Sequence, residues 1–246
     1  MTAQTLYRDP ETIEVAGRMF DVTVNRLKRA RRLTMRIDTN KSLVKISAPH
    51  HVDPATLRAF LARNQAWLER QVETRPSTQV VREGSLIPFR GREYRIVVDA
   101  SAAVIQANAD GELVLPARGE PVRRLQRFLI AQASEDLKAR ADRLSLKLGI
   151  PFRSLRVRDT KTRWGSCSSR AGLNFCWRLI FAGDEVREYV VAHEVAHLKH
   201  MDHSPAFWAQ CAALCPEDLD IEAAKNTLRV EGNAWHALVF DGSAGR

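Results

Sequence analysis

The stretch VAHEVAHLKHMDHSPAFW, residues 191 to 208, constrains this chain more than any other, because it sets four histidines and a glutamate within eleven positions and then starts a new helix. His193 and His197 are four residues apart. At about 100° per residue their rings differ by roughly 40° and stand one turn above the other, so both can reach one cation from a single helix face. Glu194 stands about 60° from His197, near enough to reach a water held by that cation without ligating the cation itself. Asp184 suits the N-cap, with Glu185 and Glu188 in the first turns, so the helix is expected from there to about residue 201.

A hydrolytic zinc site needs three protein ligands and an open fourth position. His200 projects close to His193, yet it lies roughly 10 Å further along the axis, too far for one straight helix to wrap an ion. His203 is the better third ligand. Ser204 and Pro205 form a strong helix start, so the histidine helix must break just before them and let His203 fold back. An acidic ligand on the next helix, Glu217 or Glu222, is the weaker alternative, since both sit in the solvated segment PEDLDIE. Were His193 and His197 ordinary histidines, Glu194 would lie on an apolar face beside Val190, Ala196 and Leu198 without the partner that a buried carboxylate needs.

Upstream, alternation in IEVAGRMFDVTV (13 to 24), LTMRID (33 to 38) and LVKISA (43 to 48) predicts short strands, with TNKS as a turn. A helix follows, capped by Asp53 with Pro54 at its first position, and Leu57, Phe60, Leu61, Trp67 and Leu68 form its apolar stripe. The pattern then recurs. AGRMFDVTV (16 to 24) resembles RGREYRIVV (90 to 98), and each is followed by a strand and an amphipathic helix, which reads as an internal duplication or as the ordinary likeness of hairpins and helices. A helix from about 120 to 148 stops at Gly149, and two strands then flank a loop from Lys161 to Gly172. The expected class is α+β: a β-rich N-terminal part followed by a domain built on the histidine helix. Its expected divisions are residues 1–80, 81–150, 151–232 and a tail, 233–246.

With 246 residues and 45% hydrophobic content, the chain can bury a real core. No run of eighteen apolar residues and no signal-peptide pattern appears, so a cytoplasmic protein with no membrane span is expected. Cys167, Cys176, Cys211 and Cys215 lack CxxC spacing and read as structural thiols; Cys211 and Cys215, at i and i+4, make only half a metal site. The net charge of +9 arises wholly before residue 151, where 26 Lys and Arg face 17 Asp and Glu; the remainder carries 12 of each. It is densest at RLKRARR (26 to 32), which reads either as a nucleic-acid contact or as a solvated face, the latter favoured by the lack of interleaved aromatic residues.

RWGSC (163 to 167), LNFCWRLI (173 to 180), YVVAHEVAHLKHMDHSPAFW (189 to 208) and IPFRGREYRIVV (87 to 98) together resemble the YgjP-like metallopeptidase family, related to the SprT and WLM zincins. The resemblance spans nearly the whole chain. It implies a zincin-like C-terminal domain, one Zn2+ per chain on His193, His197 and His203, and Glu194 as catalytic base. Val195 and Asp202 depart mildly from the commoner Leu and Asn, without touching the ligands. The spacing also fits metzincins, but His200 stands where those have glycine and no Met-turn follows, which disfavours them.

The reaction expected is amide hydrolysis by a metal-activated water acting on a peptide or protein substrate. Arg163, Trp164 and Asn174 are candidate substrate contacts: the loop around Arg163 and Trp164 would border the cleft, Arg163 would stabilise the oxyanion, and LNFCWRLI would offer a strand edge to an extended peptide. The competing reading makes Arg163 and Trp164 a stacked structural pair. His200, His236, His50 and His51 are expected at the surface. A different class stays open, a nucleic-acid-associated protein with a basic first part and a structural metal, or a SprT-like protease brought to DNA-bound proteins.

Overall fold

Period-two alternation builds a four-stranded sheet from β1 (Thr12–Val15), β2 (Arg18–Leu27), β3 (Thr34–Asp38) and β4 (Leu43–Pro49) in the computed structural model, which describes residues 9–38, 41–73 and 78–240. Ala16 and Gly17 both have positive φ, 49° and 71°, the two-residue turn whose twist suits the β1–β2 hairpin. The strand order is β1-β2-β4-β3, with β2 and β4 parallel and the outer pairs antiparallel. Half of the expected TNKS turn, residues 39 and 40, lies outside the described residues.

Asp53 caps α1 (Pro54–Arg63), its Oδ1 accepting from Thr56 N at 2.9 Å. The single helix expected here is two. Asn64, at φ −104° and ψ 10°, leaves the helical path, and α2 (Gln65–Glu73) starts directly after it. Leu57, Leu61 and Leu68 are fully or almost fully buried and close one core with Phe20, Val44 and Ile46. This is the first of two compact units, which divide between Thr78 and Gln79.

The second unit opens with β5 (Gln79–Val80) and a sheet of β6 (Leu86–Phe89), β7 (Arg92–Asp99), β8 (Gln106–Ala107) and β9 (Glu112–Pro116). Its order, β6-β7-β9-β8, and its sense, antiparallel, parallel, antiparallel, are those of the first sheet. Even the hairpin turn is repeated, with Arg90 at φ 53° and Gly91 at 80°. The helical part is not: in place of two short helices stands α3 (Pro121–Leu148), one 28-residue helix ended by left-handed Gly149.

A smaller sheet comes next, β10 (Ser154–Arg158), β11 (Gly165–Cys167) and β12 (Gly172–Cys176), in the order β10-β12-β11. A 3-10 segment, Trp177–Phe181, leads to α4 (Asp184–Ala196), α5 (Pro205–Leu214), α6 (Ile221–Ala237) and β13 (Leu238–Val239), which returns to pair with β5. Residues 81–150 and 151–232 do not form separate units, because one core runs through both. Leu125, Leu129, Ala133, Leu137, Ala141 and Leu144 make the buried stripe of α3, and they share that core with Phe175 of β12 and Val191 of α4. Nor do residues 233–240 form a tail: α6 continues to Ala237, β13 follows it, and Trp235 is 2% exposed. Among the described residues no helix is long and apolar enough to cross a membrane.

Candidate metal centre

The start of α4 is set by a hairpin tip. Arg90 N donates to Ile180 O at 2.7 Å and Gly91 N to Phe181 O at 3.1 Å; a β-carbon on Gly91 would lie 2.7 Å from Gly183 Cα. Gly183, not Asp184, is the N-cap, and Asp184 is the first helical residue. The far end also differs from expectation. The helix stops at Ala196, with His197 as its C-cap, and Leu198 to His200 continue as turns back to Val195 and Ala196. Ser204 then caps α5, accepting from Phe207 N, with Pro205 at the first position.

This early stop returns His203 to the helix. His203 Nε2 lies 3.3 Å from His193 Nε2, and one ring nitrogen from each of His193, His197 and His203 falls within 4.8 Å of the others. No other such group of His, Cys, Asp or Glu occurs among the described residues. Glu222 points to Lys225 Nζ at 2.7 Å, and Glu217 is exposed, so neither takes the third place.

Aromatic packing holds the three rings. Phe207 is fully buried and stacks on His197 with centroids 4.4 Å apart, meeting His193 and His203 edge-on, while half-exposed Trp208 stacks on His203. His197 Nδ1 lies 2.9 Å from the His200 carbonyl, to which it donates, leaving Nε2 with a free lone pair. Burial, with His197 and His203 close by, pushes His193 down to about 4, so its ring is neutral at pH 7.

The donor set fits a divalent transition metal. Tetrahedral bonds of about 2.0–2.1 Å hold ligand nitrogens about 3.3–3.4 Å apart, the spacing found between His193 and His203. Neutral imidazoles are also the form that ligates.

Glu194 shares the helix face and is 6% exposed. Burial raises its carboxyl to about 7, against the opposing pull of the Arg163 charge and the Cys167 backbone N–H. It lies so close to β11 that a β-carbon on Gly165 would meet Glu194 Cγ and Oε1 at 2.5 Å. The glycine therefore leaves room for the carboxylate, a role that its spacing alone does not reveal.

Arg163 is thus an electrostatic neighbour of Glu194. Trp164, by contrast, turns to α6: it stacks on His236 at 4.8 Å, meets Trp235 edge-on, and occupies the notch left by Gly232, where a β-carbon would lie 2.5 Å from its Cζ2. The stacked Arg163–Trp164 pair is replaced by a Trp164–His236 pair, so His236 is half-buried rather than on the surface. Asn174 lies on β12 between Arg156 and Ser166. Because β12 is the central strand, its backbone is paired on both sides and offers no edge to a peptide; the outer strand beside Glu194 is β11. All four cysteines are free thiols.

No curated protein matches the chain. Two solved structures resemble parts of it, both metallopeptidase zymogens: abylysin of Pyrococcus abyssi, with 20% identity and a TM-score of 0.35 over 42% of this chain and 99% of that one, and jannalysin of Methanocaldococcus jannaschii, with 16% identity and a TM-score of 0.33 over 38% and 93%. The model of the YgjP-like metallopeptidase domain matches residues 31–230, which contain all three histidines and Glu194. The chain belongs to the YgjP-like metallopeptidase family.

Proposed function

We propose that the protein is a zinc-dependent peptidase in which His193, His197 and His203 hold one Zn2+ per chain and Glu194 is the general base. The observation that carries this reading is the convergence of three imidazoles beside a buried carboxylate whose pKa is raised to about 7. Zinc, when bound, supplies the Lewis acidity that lowers the pKa of a water toward 7 and polarises the scissile carbonyl.

Glu194 takes one proton from the attacking water as its oxygen bonds to the carbonyl carbon, and gives that proton to the amine nitrogen as the C–N bond breaks. A carboxyl group poised near 7 can do both. Arg163, whose charge reaches Glu194, is the candidate to steady the carbonyl oxygen. An extended substrate would pair with the outer edge of β11, adding a strand to the three-stranded sheet, rather than with β12.

The alternative of a structural metal is less well supported, since structural zinc sites close with four protein ligands and three gather here among the described residues. The matched order and sense of the two four-stranded sheets support an internal duplication of the β-rich part.

Replacement of Glu194 by Gln tests the assignment. Zinc content should stay at one per chain while cleavage of a denatured protein substrate falls by roughly 10²–10⁴-fold; cleavage at the wild-type rate would remove Glu194 as the base.

A further inference from the structure

Among the described residues of the first unit, helices cover only one face of its sheet. Val44, Ile46 and Ala48 of β4 point into the core with Leu57 and Leu61, so the alternate residues form the outer face. Pairing arranges these in rows. Nearest the β2–β3 loop is the pair Leu27 and Pro49, and behind it stand three rows: Asn25, Ser47 and Thr34; then Thr23, Lys45 and Arg36; then Asp21, Leu43 and Asp38. The loop itself carries exposed Lys28, Arg29, Arg31 and Arg32. Basic and hydroxyl or amide side chains thus occupy one end of the face, and carboxylates mark where it stops.

These cations are not used by the fold. None of Lys28, Arg29, Arg31, Arg32, Arg36 or Lys45 forms an ion pair among the described residues, whereas Arg26, at the same end of β2, is held by Asp9 at 2.7 Å. Arg140, Arg178 and Arg187 of the second unit are all paired as well. Exposed cations without an ion pair occur in the second unit too, Arg82, Arg92, Arg118 and Arg127 among them, but those are scattered along the sequence, whereas Lys28, Arg29, Arg31 and Arg32 share one short loop.

We propose that this face binds double-stranded nucleic acid through its phosphate backbone. Lysine and arginine replace the condensed counterions, and the hydroxyl and amide groups of Thr23, Asn25, Thr34 and Ser47 donate to phosphate oxygens. The three rows contain no aromatic side chain to stack an unpaired base, which favours a duplex over a single strand. They also lack the apolar centre that a protein partner of ordinary interface composition would bury. Binding through phosphates alone carries no sequence preference. None of this depends on the peptidase reading.

The full chain is titrated into a fluorescein-labelled 20-base-pair duplex between 50 and 200 mM salt and followed by anisotropy. Wild type should bind with a dissociation constant of order 10⁻⁴–10⁻⁶ M near physiological salt, more tightly at 50 mM, and weaken as salt rises. The variant with Lys28, Arg29, Arg31 and Arg32 all changed to Glu should lose the binding, with unchanged circular dichroism. A control with the same charge change at exposed Arg82, Arg92, Arg118 and Arg127 of the second unit should retain most of it. Equal weakening by both variants would reduce the effect to net charge and overturn the proposal. So would the absence of salt-dependent duplex binding, or tighter binding of a single strand, of a polyglutamate peptide or of phosphatidylserine vesicles.

Discussion

Gly165 and Glu194 occupy one another's van der Waals space so closely that a single added methyl group cannot fit: a β-carbon on the glycine would stand 2.5 Å from both Cγ and Oε1 of the glutamate. The φ of Gly165 is not positive, so the requirement is for space rather than for backbone freedom. Gly165→Ala is therefore expected to displace the Glu194 carboxylate and leave the imidazoles in place. Activity should fall by about 10²-fold, the usual effect of a 1 Å misplacement, with metal content unchanged by atomic emission. Full activity in this variant would show that the carboxylate need not sit against β11.

His200 and His203 separate backbone from side-chain roles. His200 orients His197 with its carbonyl, which any residue supplies, while His203 brings its ring nitrogen to His193. His200→Ala should keep metal affinity within a few fold, by competition with a chromogenic chelator. His203→Ala should weaken it beyond the roughly 10–100-fold typical of losing an outer-shell partner. The reverse order would transfer the ligand role to His200.

The local signals that proved readable were those with short-range causes. Asp53-Pro54 and Ser204-Pro205 mark helix starts because a cap and a fixed φ act within one turn, and the i, i+4 histidines share a face by helix geometry alone. Other features needed tertiary information. The helix end at Ala196 comes without a glycine or proline stop signal, and the split at Asn64 lies within a continuous apolar stripe. Strand order is also invisible in alternation, which is why β12 read as an edge when it is the centre. Trp164 pairs with Gly232, 68 residues away, and a glycine within a helix announces no partner.

A buried ionic network fastens α4 to α3. Asp136 meets Arg140 Nε at 3.0 Å and Arg187 Nη1 at 2.6 Å, while Glu188 meets Arg140 and Arg143, each at 2.7 Å; the Arg187 and Glu188 side chains are each 4% exposed. Both arginines hold the Asp136 carboxyl below its ordinary value in spite of its burial. Asp136→Ala leaves Arg187 under-neutralised where water cannot replace the charge, and should destabilise the protein by about 3–5 kcal/mol. The double variant with Arg187→Ala should be less destabilised than the sum of the two single changes, as chemical denaturation would measure. Strict additivity would mean that the pair does not interact.

His236 gives the fold a sensitivity to acid that is separate from the metal ligands. Burial, aided by the nearby Arg178 charge, lowers it to about 4 from an ordinary 6.5, while its ring stacks on Trp164. The folded state therefore prefers the neutral ring. Its contribution is complete above pH 6.5 and is lost as pH falls from 6.5 toward 4, because the unfolded chain takes up the proton first. By pH 5 the loss is of order 2 kcal/mol, or roughly 4–8 °C in melting temperature for a domain of this size. His236→Phe keeps an aromatic ring against Trp164 and cannot titrate. Between pH 7 and pH 5 the wild type should lose that much more thermal stability than His236→Phe; parallel losses would show that His236 is already protonated in the fold.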